Sequence, residues 1–118
     1  LTAAFGATAL AAEEKPAYKW RIELDHTTDN AGEIVFRIAP EGGGTPIDVT
    51  TKIPAKTGEN RSAKILRDSF KASLGKAYKV EVDDGEDVLV KAKGKTPKFM
   101  LTMVSTTLTG LEVEIEHD

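Results

Sequence analysis

The two histidines are the residues of this sequence whose type and position suit chemistry best. His26 lies between Asp25 and Asp29, and an imidazole beside carboxylates is suited to a metal site or to acid–base catalysis. Carboxylates next to a histidine are also common in polar turns, so we interpret His26 as a loop residue. His117, next to the last residue of the sequence, is interpreted as a tail residue.

Two further groups of residues resemble chemical motifs only in composition. The acidic run 83–87 lacks the alternating oxygen ligands and the distal glutamate of a calcium loop, and it favours a hairpin turn. The glycines 42–44 are not followed by Lys-Ser or Lys-Thr and do not open a helix, unlike a phosphate-binding loop. No serine has the context of a nucleophile elbow. The sequence therefore predicts no catalytic, cofactor-binding or metal-binding residue. We expect that the protein is not an enzyme.

Composition narrows the class of protein. The 118 residues suffice for one domain, and 40% hydrophobic with 30% charged residues is typical of a folded globular chain. With Lys+Arg 16 against Asp+Glu 19 the net charge is −3, which does not favour nucleic acid as a partner. There is no cysteine, so disulfides, thiolate nucleophiles and Cys-based metal sites are excluded.

Residues 1–12 differ sharply from the rest of the chain. They carry no charge, and Ala9 and Ala11 fit the A-x-A pattern that precedes a signal-peptidase cut after Ala11 or Ala12. A membrane span needs about 20 apolar residues, so no integral span is predicted. We interpret residues 1–12 as the remnant of a secretory signal peptide and expect a periplasmic or secreted bacterial protein. The alternative is a flexible N-terminal arm that is retained and docks on a neighbour.

Residues 13–118 are expected to form a single domain with one helix among strands. Alternating apolar residues predict seven strands, around Trp20, Phe36, Val49, Val80, Val90, Leu101 and Val113. Between Thr57 and Leu74 the apolar spacing changes to three and four, which predicts a helix with Thr57 as N-cap and Gly75 after its end. The order βββ-α-ββ-ββ indicates an α+β fold, with about seven mostly antiparallel strands in a two-layer roll or sandwich. The expected core residues are Trp20, Phe36, Leu66, Phe70, Phe99 and Leu101.

Parity constrains the hairpin around the acidic run. Val80 and Val88 can both face the core only if the loop between their strands has an odd number of residues. A three-residue loop at 83–85, with Gly85 in the left-handed region, would place Val80 opposite Val88.

Apolar and basic side chains that point away from the expected core are candidates for a contact surface. Ile65 is expected on the outer side of the helix, while Leu89, Lys91 and Lys93 are expected on the outer side of one strand. Met100 belongs to the strand 99–104, which has apolar residues on both faces and is therefore expected to be covered on both sides. Together with acidic strands elsewhere, the lysines would make the surface electrically two-sided and so direct head-to-tail contact between copies. The alternative is that they are ordinary solubilising lysines at a sheet edge. The candidate interaction residues are Ile65, Leu89, Lys91, Lys93 and Met100.

Residues 47–92 resemble a β-α-β-β module of bacterial flagellar hook and filament-cap proteins and of phage tail and sheath proteins. The matching features are a strand at 47–53 followed by Pro54, a helix opening near Thr57, a strand at 78–82, a turn at Gly85 and a strand at 88–92. The resemblance implies a part in assembly and supplies no catalytic residues.

We therefore expect a small exported, non-catalytic domain that contacts a protein partner or copies of itself, as a self-assembling structural subunit would. The alternative is a periplasmic binding module for a small apolar or peptide ligand. That alternative predicts a pocket lined by Trp20, Phe70 and Phe99.

Overall fold

The computed structural model describes residues 15–117, so the expectations for residues 1–12 lie outside the described residues. The predicted element order is confirmed. The strands are β1 (Lys19–Asp25), β2 (Gly32–Pro40), β3 (Ile47–Ile53), β4 (Tyr78–Asp83), β5 (Asp87–Ala92), β6 (Phe99–Thr106) and β7 (Glu112–His117). The helix α1 spans Glu59–Leu74 and is followed by a single 3-10 turn at Gly75–Ala77.

The strands form two antiparallel sheets. One has four strands in the order β4-β5-β1-β7, and the other has three in the order β3-β2-β6. Along β1 and β2 buried apolar residues alternate with more exposed ones, because successive side chains of a strand point to opposite faces. The two buried faces enclose a common core, which confirms an α+β sandwich.

Helix α1 packs against both sheets. It contacts β3 of the three-stranded sheet and β4, β5 and β1 of the four-stranded sheet. Its buried apolar residues are those of the predicted stripe, Ala63, Leu66, Phe70 and Leu74. The Phe70 ring lies 5.5 Å from the ring of Phe36 on β2, so the helix joins the two layers. Among residues 15–117, no helix combines the length and the apolar composition that a membrane span requires.

The core contains all six residues expected from the sequence. Trp20, Phe36, Leu66, Phe70, Phe99 and Leu101 are each at most 2% exposed. The indole Nε1 of Trp20 on β1 donates a hydrogen bond of 2.7 Å to the carbonyl oxygen of Phe99 on β6. This bond crosses from one sheet to the other and satisfies a polar group that burial would otherwise penalise.

The structure corrects the residue predicted to cap the start of α1 and agrees with the predicted glycine after its end. The N-cap is Gly58, without a side-chain hydrogen bond, so Thr57 as N-cap is wrong. The Thr57 hydroxyl instead donates to the carbonyl of Pro54 at 2.8 Å, because the chain turns sharply before the helix begins. Gly75 follows the helix with φ +67°, and its N–H donates to the carbonyl of Lys71.

The β4–β5 hairpin confirms the parity argument but corrects the register. Asp83 pairs with Asp87, so the loop has three residues, 84–86, and Val80 lies opposite Val90 instead of Val88. The predicted loop began one residue too early. Asp84 itself takes a left-handed conformation (φ +52°) before Gly85 (φ +81°), which delays the turn by one position.

Candidate interaction surfaces

The outer face of the four-stranded sheet carries its charges in rungs, by which we mean residues side by side across neighbouring strands. The lysine rung consists of Lys79, Lys91 and Lys19. The carboxylate rung consists of Asp83, Asp87, Glu23 and Glu114. Along β4, four residue steps separate Lys79 from Asp83, which is ~13 Å at the usual rise of a strand. One end of this sheet face is therefore basic and the other acidic.

One guanidinium neutralises part of the carboxylate rung. Nη1 of Arg21 lies 3.0 Å from Oδ2 of Asp83 and 2.5 Å from Oδ2 of Asp87. The Asp87 side chain is only 7% exposed, and its Oδ1 has no hydrogen-bond partner among residues 15–117. The carboxylates of the rung lie side by side, so their charges repel one another even with the contacts from Arg21.

Two carboxyl groups at this end have raised pKa values, one mainly through a neighbouring charge and the other mainly through partial burial. The charge of Asp87 raises the pKa of Glu23, with smaller contributions from partial burial and from Glu114. Partial burial also raises the pKa of Glu86, together with the charge of Glu59. Both shifts show that the folded protein disfavours the ionised form of these groups.

His26 lies at the same acidic end, beside Asp25, one of its two expected partners, and beside Glu112. Its Nε2 is 3.8 Å from Oδ2 of Asp25 and 3.7 Å from Oε1 of Glu112, and Asp29 is not part of the group. The three side chains are all exposed, and the backbone N–H of His26 donates to Oε1 of Glu59 at 2.8 Å. A second group, Asp83, Asp84 and Asp87, also brings three carboxylates within 4.8 Å. Such acidic surface groups are common without an ion, so neither is assigned as a metal site.

The structure brings three of the five expected contact residues together. Leu89 and Lys91 face outward on β5, and Lys93 follows directly after this strand. The two lysines are exposed, whereas Leu89 is only 6% exposed, so the expectation of an accessible leucine is wrong. Leu89 is flanked in register by Arg21 and Glu81, whose long side chains lie on the neighbouring strands.

The other two expected contact residues lie elsewhere. Ile65 is half-buried and packs against the core, because α1 contacts both sheets and buries more than one narrow stripe. Its expected outward position is therefore wrong. Met100 lies on β6 in the three-stranded sheet, where it is half-buried and pairs with Ala39.

Strand β6 is covered over only part of its length. Phe99 and Leu101 are buried, but Met103 is 41% exposed and Val104 is 46% exposed. The expected cover on both sides is wrong for this half of the strand, because β6 is the last strand of its sheet and extends beyond the core. The alternation of apolar residues predicts that Met103 lies on the inward face of its strand. It does not show that this strand is at the edge of a sheet.

The space proposed for an apolar ligand is filled by side chains. Trp20, Phe70 and Phe99 are each at most 1% exposed and pack within the core cluster. The structure does have an open depression of about 420 Å³, but it lies at the ends of β2 and β3. Its lining residues are Ala31, Gly32, Glu33, Lys52, Ile53 and Pro54.

Comparison of this chain with protein families, with curated proteins and with solved structures finds no match.

Proposed function

We propose that this chain is a small exported, non-catalytic domain that acts through protein–protein contact at the free edge of β6. In this role it serves as a structural subunit that accepts an extended strand from its partner. The single observation that carries the proposal is an uncharged edge strand with two large apolar side chains in solvent. Strand addition to such an edge is a general mode of protein recognition.

All eight residues of β6 are uncharged, and the strand contains neither Gly nor Pro. On one side it pairs with β2. On the other side, the pairing within the described part of the chain is limited to Ala17, which exchanges two backbone hydrogen bonds of 3.0 and 2.9 Å with Phe99. From Leu101 onward, no strand of the described residues covers this edge, and exposed apolar edges of this kind favour pairing with another chain.

The other three edge strands carry charges that discourage such pairing. Strand β3 contains Asp48 and Lys52, and β4 contains Lys79, Glu81 and Asp83. Strand β7 has a glutamate at every second position, namely Glu112, Glu114 and Glu116. Charged edge residues are a common protection against strand addition. The chemistry therefore favours β6 over the other edges.

Backbone direction identifies the groups that a partner strand would bind. Phe99 directs both its N–H and its carbonyl away from β2, toward Ala17. Because these groups alternate in direction along a strand, those of Leu101 and Met103 point to the same free side. A register shift opposite Val35 and Phe36 leaves Val104 without a partner on β2, so regular pairing of an added strand would centre on Leu101 and Met103.

Two features of the sequence support the rest of the proposal. The signal-like composition of residues 1–12 supports export to the periplasm or the medium. The resemblance of residues 47–92 to modules of flagellar and phage assemblies supports a part in assembly. The partner in this proposal is a protein, either a different chain or another copy.

The test uses protein purified from its own source. Size-exclusion chromatography with light scattering is expected to show a complex larger than the 12.7 kDa chain. In that complex, the backbone amides of Leu101 and Met103 should exchange with deuterium about tenfold or more slowly than in the isolated domain. Met103→Pro removes the free N–H without breaking a bond to β2, so it should abolish the complex.

Met103→Val is the matched control, because it keeps the backbone N–H and a strand-forming side chain, and it should retain the complex. Circular dichroism establishes that both variants are folded. If Met103→Pro does not fold, Met103→Lys blocks the edge by charge and replaces it. A monomer from the native source, or a complex that keeps unprotected Leu101 and Met103 amides, would contradict the proposal.

A further inference from the structure

One end of the four-stranded sheet collects positive charge from separate segments of the chain. Residues 69–80 and 88–111 contain seven lysines and none of the 19 Asp and Glu residues. Five of these lysines lie on the 3-10 turn, on β5 and in the loop after it, and they are all exposed. None of the five forms an ion pair with another residue of the range 15–117. We call this set the lysine surface: Lys76, Lys91, Lys93, Lys95 and Lys98.

Backbone hydrogen bonds hold two of these segments together. The N–H of Lys93 donates to the carbonyl of Ala77 at 2.9 Å, and the hydroxyl of Thr96 donates to the same carbonyl at 3.2 Å. Both bonds fix the loop after β5 against the 3-10 turn that contains Lys76. Lysines from both segments therefore lie at one place, where their charges repel one another and attract anions.

An exposed aromatic ring lies beside these lysines. The ring of Tyr18 is 55% exposed, and the ammonium group of Lys98 lies 5.5 Å from its centroid. The carbonyl of Tyr18 accepts the N–H of Ala92 at 2.8 Å, and Ala92 lies between Lys91 and Lys93 in the chain. A tyrosine ring, with an apolar body and a polar hydroxyl, suits the headgroup region of a lipid bilayer.

The carboxylate rung lies at the other end of the same sheet. Four residue steps along β5 separate Lys91 from Asp87, which is ~13 Å. At the lysine surface itself, the described chain places Glu41, whose backbone N–H donates to the carbonyl of Lys98 at 2.8 Å. One carboxylate offsets only part of five ammonium charges. A chain with net charge −3 can therefore approach an anionic surface with this end first and its carboxylate rung turned away.

We propose that the lysine surface docks on an anionic phospholipid bilayer, with Tyr18 at the level of the headgroups. Residues 69–80 and 88–111 contain no arginine, the residue best suited to bidentate recognition of a single phosphate. Lysines are flexible point charges, which suit a surface whose charged headgroups move. The lysine surface is separate from the free edge at Leu101 and Met103, so the inference does not rest on the function proposed above.

Co-sedimentation of the whole chain with lipid vesicles tests the proposal. One set of vesicles contains equal parts of phosphatidylglycerol and phosphatidylcholine, and the other contains phosphatidylcholine alone. The wild type is expected to bind the anionic vesicles at least tenfold more tightly than the neutral ones. Salt at ~0.5 M NaCl should remove this preference, because the Debye length falls to roughly 4 Å. Binding through apolar residues alone would depend on neither the lipid charge nor the salt.

Lys76→Gln/Lys93→Gln/Lys95→Gln removes three charges of the lysine surface. A lysine near an anionic membrane strengthens binding about fivefold, so this variant should bind the anionic vesicles about 100-fold more weakly. The matched control is Lys52→Gln/Lys56→Gln/Lys64→Gln, which removes the same charge from exposed lysines elsewhere and should bind like the wild type. Met103→Pro, which acts on the edge of β6, should also bind like the wild type. Circular dichroism checks folding, and Lys93→Gln/Lys95→Gln replaces a triple variant that does not fold.

Three outcomes would overturn the proposal. The first is a wild type that binds neutral and anionic vesicles equally. The second is an equal loss of binding in the variant of the lysine surface and in its control, because the overall charge and not this surface would then matter. The third is retention of the wild type on heparin without binding to vesicles, which would assign the lysines to a soluble polyanion.

Discussion

Single carboxyl groups of this protein are shifted in opposite directions, and each shift predicts a dependence of stability on pH. Asp87 raises the pKa of Glu23 above its ordinary value of 4.5, so the folded state binds this proton more readily than the unfolded state. The resulting stabilisation is complete below the ordinary pKa and is lost as pH rises through the raised value. Glu23→Gln is therefore expected to raise the melting temperature at neutral pH and to flatten its dependence on pH.

Asp48 provides the comparison with the opposite sign. Its two hydrogen bonds from Arg37, of 2.7 and 3.0 Å, hold the pKa of Asp48 below its ordinary value. This stabilisation is present above the ordinary pKa and is lost as pH falls through the lowered value. Thermal unfolding followed by circular dichroism should thus show that Asp48→Asn lowers the melting temperature at neutral pH. Equal responses of Glu23→Gln and Asp48→Asn would contradict both assignments.

At the scale of the element, two loops that each connect one sheet to the other are held together by hydrogen bonds. The β1–β2 loop contributes Asn30, whose side-chain amide donates to the carbonyl of Thr107, while its oxygen accepts from the backbone N–H of Thr109. Gly110 in the β6–β7 loop has φ +88°, and a Cβ there would lie 2.4 Å from the carbonyl oxygen of Thr27. This position therefore requires glycine for both its backbone conformation and its space.

Gly110→Ala is expected to destabilise the domain by about 1–3 kcal/mol from the backbone conformation, with the collision added to it. Gly42→Ala is the matched control, because Gly42 has φ +90° but nothing within 4 Å of an added Cβ. Urea denaturation of the two variants should show the larger loss for Gly110→Ala. Equal losses in the free energy of unfolding would mean that the loops around Gly110 accommodate the added Cβ without being destabilised.

The elements themselves could be predicted from the sequence, but their neighbours could not. Alternation and helical spacing depend on which side of each element is buried, and this information is local. Which strands lie side by side depends on long-range packing, so the orders β4-β5-β1-β7 and β3-β2-β6 were not predictable. The lysine rung was missed for the same reason. Lys19, Lys79 and Lys91 are distant in sequence and meet only through this order.

At several positions the local sequence is also compatible with more than one hydrogen-bond partner or register. The Thr57 hydroxyl suits an N-cap, but the turn before α1 offers it the Pro54 carbonyl instead. Parity required an odd number of residues in the hairpin loop, but two registers that differ by two residues both satisfy it. The left-handed conformation of Asp84 selects the observed register. These outcomes depend on small energy differences that a pattern of apolar residues does not contain.

For the whole molecule, the proposed contact at β6 lies in only one layer of the sandwich. Strand β6 belongs to the three-stranded sheet, whereas both charged rungs belong to the outer face of the four-stranded sheet. A contact at β6 reaches the other layer only if the two sheets do not unfold independently.

Because α1 packs against both sheets, we expect the two sheets to unfold together. Phe70 is fully buried on α1, which contacts strands of both sheets, so Phe70→Ala should cost about 3–5 kcal/mol. This is a large part of the roughly 5–15 kcal/mol that stabilises a typical domain. Urea unfolding followed by the fluorescence of Trp20, the one tryptophan of the chain, and by far-ultraviolet circular dichroism should give coincident transitions shifted to lower urea. Phe70→Leu, which keeps most of the volume, should shift them far less. If Trp20 fluorescence changes at a different urea concentration from the dichroism, the sheets unfold separately and α1 does not couple them.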